Sequence, residues 1–340
     1  MKSMLLETIS NLEEGSEPLR FCEINDPSPE ENEILVQVSA CGVCHTELDE
    51  IEGRTMPHLP IVLGHQVVGR IAALGKNASR FKSGDRVGVA WIFSVCGTCK
   101  FCRTGNENLC TDFKATGRDV NGGYAELMTV HQDFAYPLPD VFTDAEAAPL
   151  LCAGAIGYRS LRLASIIDAQ NLGLTGFGAS AHLVLKMVKH KYPSVQVFVF
   201  ARSEREREFA KGLGAVWSGD TTETSPQKLD AIIDTTPAWM PIVEALKNLE
   251  PGGRLVINAI RKEEKDKDIL LGLNYPDHLW MEKEIKTVAN VARSDVSGFL
   301  QLATDMKIKP EVEEYPLQEA NRALVELKAA KIRGAKVLRM

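Results

Sequence analysis

The chain lacks the features that would send it to a membrane, a nucleic acid or the secretory route. No stretch approaches the about 18 uninterrupted apolar residues of a membrane-spanning helix, so no membrane partner is expected. Positive charge is not in excess: 39 Lys and Arg stand against 46 Asp and Glu, a formal net charge of −7. A nucleic-acid or anionic-membrane surface requires a basic face, and no basic stripe is present. The N-terminal MKSMLLETISNLEEGSEPLR has no apolar core and carries acid early, which is not a signal peptide and predicts a cytoplasmic location. The 340 residues contain no internal repeat and no low-complexity segment, and their length suits two domains.

What is present is cysteine in an unusual arrangement. Between Cys96 and Cys110 the chain reads CGTCKFCRTGNENLC, placing Cys96, Cys99, Cys102 and Cys110 in a C-x2-C-x2-C-x7-C array. Four thiols on one short loop suit a closed tetrahedral zinc site, and no packing requirement generates that spacing. A chance cluster or two disulfides is the alternative, opposed by the paired C-x2-C spacings and the absence of a secretion signal. A site closed by four thiolates has no open position, so it braces structure and leaves the chemistry elsewhere.

Texture divides the chain in two. To about residue 150, short apolar runs such as 34–40, 66–74 and 85–91 are bounded by Gly and Pro, the pattern of a compact β-rich domain. From about 153, strands alternate with helical stretches: NLGLTGFG before a helix at 179–191, VQVFVF (195–200) before a charged helix at 203–213, then LDAIID, GGRLVINAI and EIKTVANV. That alternation predicts a parallel sheet with crossover helices. The stretch from about 291 ends in a helix, EANRALVELKAAK, and a strand-like AKVLRM.

Residues 175–182 read TGFGASAH, giving Gly176-x-Gly178-x-x-Ala181 after a predicted strand and at the start of a predicted helix. The first glycine makes the tight turn, the second lets backbone approach a pyrophosphate, and the small third residue packs helix on strand. Phe177 and Ala179 fall inside the same loop. At the end of the next strand an NAD site usually places Asp or Glu to bond the ribose 2′-hydroxyl. Here Ala201 occupies that position, followed by Arg202 and Ser203, which leans the reading to NADP(H) with NAD(H) possible. The alternative is that Arg202 and Arg205 form a solvated face with Glu204 and Glu206.

Three further candidate ligands lie outside the four-cysteine loop: Cys44, His65 and Cys152. They sit within GVCHTEL (42–48), LPIVLGHQVVG (59–69) and PLLCAGAIGYRSL (149–161), which join GDRVGVAW (84–91), GGYAE (122–126), TGFG and EPGGRLV (250–256) in one ordered series. With these motifs the chain resembles the zinc-dependent medium-chain alcohol dehydrogenases across essentially its whole length. The resemblance implies an α/β architecture: a GroES-like β-rich catalytic domain of 1–152 and 291–340, and a Rossmann doubly wound parallel-sheet cofactor domain of 153–290, with zinc and substrate in the cleft between them.

The resemblance further implies that Cys44, His65 and Cys152 hold a catalytic zinc, making two zinc ions per subunit. Two thiolates and one neutral imidazole leave one coordination position open, which agrees with that role. A buried thiol at Cys152, or a Cys41–Cys44 redox pair, is the bland alternative; Cys22 and Cys41 are read as buried or spare thiols. By resemblance Thr46 carries the first hydroxyl of a proton relay, Glu47 orients the histidine ligand, and Trp91 walls a pocket for a small, primary alcohol. His45 and Arg333 match phosphate contacts of the cofactor, and Ile156 and Val291 match its nicotinamide neighbours. The implied reaction interconverts an alcohol with an aldehyde or ketone, in a homo-oligomer that is a tetramer rather than a dimer. A zinc-free quinone or enoyl reductase of the same fold is a second reading, opposed by the intact ligand set. A zinc-ribbon nucleic-acid module is a third, opposed by the acidic charge.

Two positions depart from the family pattern. Gln66 stands where a glutamate usually follows the histidine ligand, and Asp49 stands where the relay usually ends in histidine. A neutral amide at Gln66 is expected to leave the metal more electropositive and to lower the pKa of a bound alcohol or water. Asp49 is expected to act as outer relay base, or else Thr46 opens directly to solvent.

Overall fold

The computed structural model describes residues 1–329 and 334–340, and the chain forms two compact units, Met1–Cys152 with Val291–Met340 and Ala153–Asn290. No helix among the described residues is long and apolar enough to cross a membrane.

The first unit is built on strands that pair antiparallel, except that Val312–Pro316 runs parallel to Ala335–Arg339. Strand Glu33–Val43 (EILVQVSACGV) alternates, burying Ile34, Val36, Val38 and Ala40 while Gln37 is exposed. It is the centre of a seven-stranded sheet in the order Ala135–Pro137, Arg86–Val89, Val67–Leu74, Glu33–Val43, Ala335–Arg339, Val312–Pro316, with Leu127–His131 also paired to it. The last strand thus closes the sheet begun by the first 43 residues, Val337 lying opposite Gly42. A three-stranded sheet of Leu19–Glu23, Lys2–Leu6 and Ile61–Val62 and a small pair, Ile92–Ser94 with Lys114–Ala115, complete the strands of this unit. Leu6, Ile34, Val67, Tyr124 and Leu324 are among the side chains of its core.

The second unit is a six-stranded sheet, parallel throughout. Its order is Trp217–Gly219, Gln196–Phe200, Asn171–Thr175, Leu229–Asp234, Leu249–Ile257, Glu284–Thr287, which is third, second, first, fourth, fifth, sixth along the chain. That is the Rossmann order, and its reversal between the first and fourth strands opens a crevice at their carboxyl ends. Central strands such as QVFVF are buried on both faces, as parallel strands covered by helices must be. The helices include Ala179–Lys191, Glu204–Gly212 and Met240–Asn248. Phe198, Phe200, Ile232, Leu246 and Leu255 pack one face of the sheet. The fold class read from the sequence is therefore the observed one.

Candidate metal centres and nucleotide loop

Cys44, His65 and Cys152 arrive from three separate elements. Cys44 directly follows the central strand and caps the helix His45–Ile51, where its backbone N–H donates to Glu47 Oε2 at 2.8 Å. His65 lies in the loop between Ile61–Val62 and Val67–Leu74. Cys152 sits in a π-helical turn, Leu150–Gly154, that continues the helix Asp144–Pro149. That helix starts from a capping box, with Thr143 Oγ1 accepting from the Glu146 N–H at 3.2 Å and Glu146 Oε2 accepting from the Thr143 N–H at 2.8 Å. Asp144 fixes it to the sheet by accepting from Ser39 Oγ at 2.6 Å and from Arg86 Nε at 2.7 Å.

The three donor atoms lie within 4.8 Å of one another, and the Cys44 and Cys152 sulfurs are 3.9 Å apart. Around a tetrahedral zinc with Zn–S near 2.3 Å, ligand sulfurs stand about 3.8 Å apart, so this donor set fits that metal. Glu47 lies against the other side of the histidine, its Oε1 2.7 Å from His65 Nδ1, both groups buried. A carboxylate on Nδ1 directs Nε2 toward the thiols. Thr46 Oγ1 is 3.7 Å from Cys44 Sγ, and the Trp91 ring meets the His65 imidazole edge-on with centroids 5.2 Å apart. The Trp91 ring also carries the Arg118 guanidinium, 5.5 Å from its centroid.

The electrostatics follow from crowding of acids and thiols in a buried space. A hydrogen bond with Cys152, with His65 adding to it, holds the Cys44 thiol well below its ordinary value, while the same contact together with burial raises the Cys152 thiol well above its own. Burial alone would lower His65, but the Glu47 and Cys44 charges raise it well above. A divalent cation at this point would relieve the clustered negative charge.

The four-cysteine loop closes on itself. Sulfur separations are 3.9 Å for Cys96–Cys102, 3.5 Å for Cys99–Cys102 and 3.6 Å for Cys96–Cys110. These match the same tetrahedral edge of about 3.8 Å, and all four thiols are free. Backbone N–H groups of Thr98 and Cys99 pull the Cys96 thiol down to about 6, whereas burial pushes Cys102 up to about 12.

In the second unit, Gly176 has φ +74°, and a Cβ there would meet Thr236 Cγ2 at 2.8 Å, so only glycine makes this turn without strain. Gly178 begins the helix Ala179–Lys191, and a Cβ on it would meet no protein atom within 4 Å, leaving the helix N-terminus open to a ligand. Phe177 and Ala181 are buried beneath the loop. Ala201 is buried at the end of the second strand, while Arg202 and Ser203 are exposed. Arg207 Nη1 holds this strand end by donating to Ala201 O at 2.7 Å and Arg202 O at 3.0 Å. Among the described residues, Arg202 and Arg205 make no ion pair with Glu204 or Glu206.

The remaining sequence candidates are placed as follows. His45 is exposed at the start of its helix, Ile156 is half-buried in the helix Ala155–Ala164, and Val291 is buried at the start of the returning segment. Gln66 is buried beside its histidine neighbour. Asp49 is buried and bound to Arg54, with Nε 2.6 Å from Oδ1. Arg333 lies outside the described residues.

Sequence reasoning missed Glu50. It lies one turn beyond Thr46 and is 1% exposed, and among the described residues neither of its carboxyl oxygens has a hydrogen-bond partner. Burial, with the Glu47 charge added, pushes its carboxyl well above the ordinary range. The Tyr124 hydroxyl, also buried, has no hydrogen-bond partner among the described residues either. The dense acids of ELDEIE (47–52) were the available signal. Also missed was a buried pair in the second unit, Asp234 with Lys262.

Comparison with known proteins accords with this geometry. The family described as alcohol dehydrogenase GroES-like domain matches residues 30–140. A probable alcohol dehydrogenase, AdhA, of Mycobacterium tuberculosis is 41% identical over 327 residues, covering 94% of this chain and 92% of that protein. An alcohol dehydrogenase of Geobacillus stearothermophilus is 30% identical over 337 residues, covering 96% of this chain and 97% of that one. Among solved structures, a cinnamyl alcohol dehydrogenase of Sorghum bicolor superposes with a TM-score of 0.83 at 26% identity, over 99% of this chain and 97% of that one. The alcohol dehydrogenase of Aeropyrum pernix shares the fold, with a TM-score of 0.85 at 23% identity over the whole of both chains. The near full-length match to these alcohol dehydrogenases, carried on a fold that brings Cys44, His65 and Cys152 together from distant segments, makes this chain a member of the zinc-type medium-chain alcohol dehydrogenase family.

Proposed function

We propose that this alcohol dehydrogenase moves hydride between a small primary alcohol and NADP(H), NAD(H) being the lesser cofactor, with two zinc ions per subunit. The observation that carries the reading is the convergence of Cys44, His65 and Cys152 on one point. These are three ligands where a closed site would need four. When held there, zinc supplies Lewis acidity toward the alcohol or carbonyl oxygen. The second ion belongs to Cys96, Cys99, Cys102 and Cys110, which leave no position for substrate.

The chain's own residues do the rest. Glu47 fixes the tautomer and direction of His65. Thr46 takes the alcohol proton and passes it outward, with Asp49 as the outer acceptor. Trp91, packed against His65, limits the size of the group on the carbinol carbon. Gly176, Phe177, Gly178, Ala179 and Ala181 form the pyrophosphate turn, and His45 and Arg333 add phosphate contacts. Ile156 and Val291 flank the nicotinamide. Ala201, Arg202 and Ser203 receive the adenosine ribose, and the exposed Arg202 suits a 2′-phosphate.

The assembly we infer is a homo-oligomer, a tetramer rather than a dimer. Supporting this, the sheet of the second unit ends in an edge strand, Glu284–Thr287, whose four residues are all exposed. Leu271, Tyr275, Trp280 and Ile285 are exposed in the same stretch. Eight free cysteines suit a reducing cytoplasm.

The test is steady-state turnover of zinc-loaded protein with NADH and with NADPH against short aldehydes and ketones. NADPH-driven reduction of short primary aldehydes is expected. Turnover with NADH alone overturns the NADP preference, and turnover with neither overturns the function.

A further inference from the structure

The strands Asn171–Thr175 and Leu229–Asp234 flank the point where strand order reverses, and their last residues, Thr175 and Asp234, lie side by side. Beneath the glycine turn these ends are joined by a buried polar network. Asp234 is fully buried, and its Oδ1 accepts from Thr175 Oγ1 at 2.6 Å and from Thr236 Oγ1 at 2.8 Å. Its Oδ2 accepts from Lys262 Nζ at 2.5 Å. The same ammonium donates to Thr236 O at 2.8 Å and Ala238 O at 3.0 Å, so all three of its donors are used.

Lys262 thereby ties the loop after the fifth strand to the loop after the fourth. Two neighbours reinforce the tie. The Glu263 N–H donates to Pro237 O at 2.8 Å. Asp266 Oδ2 accepts from the Trp239 and Met240 N–H groups at 2.9 and 2.8 Å. On its other side the clamped segment leans on the nucleotide turn. The Thr235 N–H and Oγ1 both donate to Thr175 O, at 3.0 and 3.1 Å, and Thr236 Cγ2 is the atom that a Cβ on Gly176 would strike.

We propose that Lys262, through Asp234, is a positioning residue for the dinucleotide, resting on the reading of 175–182 as its binding turn. Lys262 has no donor left for a phosphate. It sets the backbone of 235–239, which walls the crevice beside Gly176. It also cancels a carboxylate that would otherwise repel a pyrophosphate at the strand ends. A buried ion pair is costly to form and offers little stability over an apolar pair, which leaves preorganisation of the crevice as the reason for placing one here.

The experiment is direct fluorescence titration of NADH and NADPH into wild type, Lys262→Arg, Lys262→Met and the double variant Asp234→Asn/Lys262→Met, with thermal melting of each. Lys262→Met is expected to weaken both nucleotides about tenfold or more and to raise the nucleotide KM in step. Its kcat at saturating nucleotide should stay within about threefold of wild type, a split that general loss of structure would not produce. Lys262→Arg should restore affinity. If Lys262→Met fails to fold, the double variant leaves no unpaired charge, and it should still bind weakly because Thr236 O and Ala238 O lose their donor. Binding within about twofold of wild type in a folded Lys262→Met or double variant overturns the proposal. Wild type that binds neither nucleotide overturns the reading of 175–182 instead.

Discussion

Glu107 Oε1 accepts two hydrogen bonds from Arg293, one from its backbone N–H at 2.7 Å and one from Nε at 3.0 Å, across 186 positions of sequence. Glu107 lies inside the four-cysteine loop between Cys102 and Cys110, and Arg293 opens the helix Arg293–Asp305. The cysteine lobe is thus fastened to the returning C-terminal segment of its own unit. The other Glu107 oxygen is buried without a hydrogen-bond partner among the described residues, so part of the gain is offset.

Glu107→Ala should therefore cost only about 1–2 kcal/mol of stability, less than two charged hydrogen bonds would suggest. Urea denaturation gives this number. Zinc transfer from the cysteine loop to a chelator should also become faster, while kcat is preserved. Loss of kcat with unchanged stability would show that the loop is not a brace.

Gln66 is buried beside the histidine ligand, where a carboxylate would add negative charge to the metal's surroundings. Gln66→Glu should move the pH limb of kcat for alcohol oxidation upward by about one unit, because an anion disfavours loss of a proton nearby. A limb that stays in place refutes the effect.

Asp49 is engaged by Arg54 at 2.6 Å. Asp49→Asn should slow both alcohol oxidation and aldehyde reduction about tenfold if Asp49 takes the relay proton, since the same proton moves in each direction. Unchanged rates would assign the route to solvent directly from Thr46.

The Glu50 carboxyl is raised well above its ordinary value of 4.5 by burial. Below pH 4.5 the folded and unfolded chains both hold this proton. Above it, the unfolded chain releases the proton first, so wild type loses stability as pH rises toward the folded value. Glu50→Gln has no such proton. It should melt above wild type at pH 8, with the gap closing as pH falls to 4.5; a gap independent of pH excludes a titrating Glu50.

Much of the architecture was legible because local patterns carry it. The alternation in Glu33–Val43 and the apolar runs of the parallel strands follow directly from which faces must be dry. The Cys96–Cys110 spacing and the glycine turn are local too, since each is one loop whose chemistry depends on neighbours a few residues away. Cys152 is different. Nothing in PLLCAG distinguishes a ligand from a core thiol, and only the resemblance singled it out before the fold brought its sulfur to 3.9 Å from that of Cys44.

The sequence by itself determined the donor types, the strand and helix periods and the acidic balance, because these depend on residue identity and short spacing. Tertiary structure alone decided which charges meet: Glu107 with Arg293, Asp234 with Lys262, and Glu50 with no hydrogen-bond partner among the described residues. The physical reason is that a charged group's free energy depends on burial and on what stands within a few ångströms. For Glu107 and Arg293 those neighbours come from the two separate segments of one unit, 186 positions apart, a distance over which no periodicity in sequence reports.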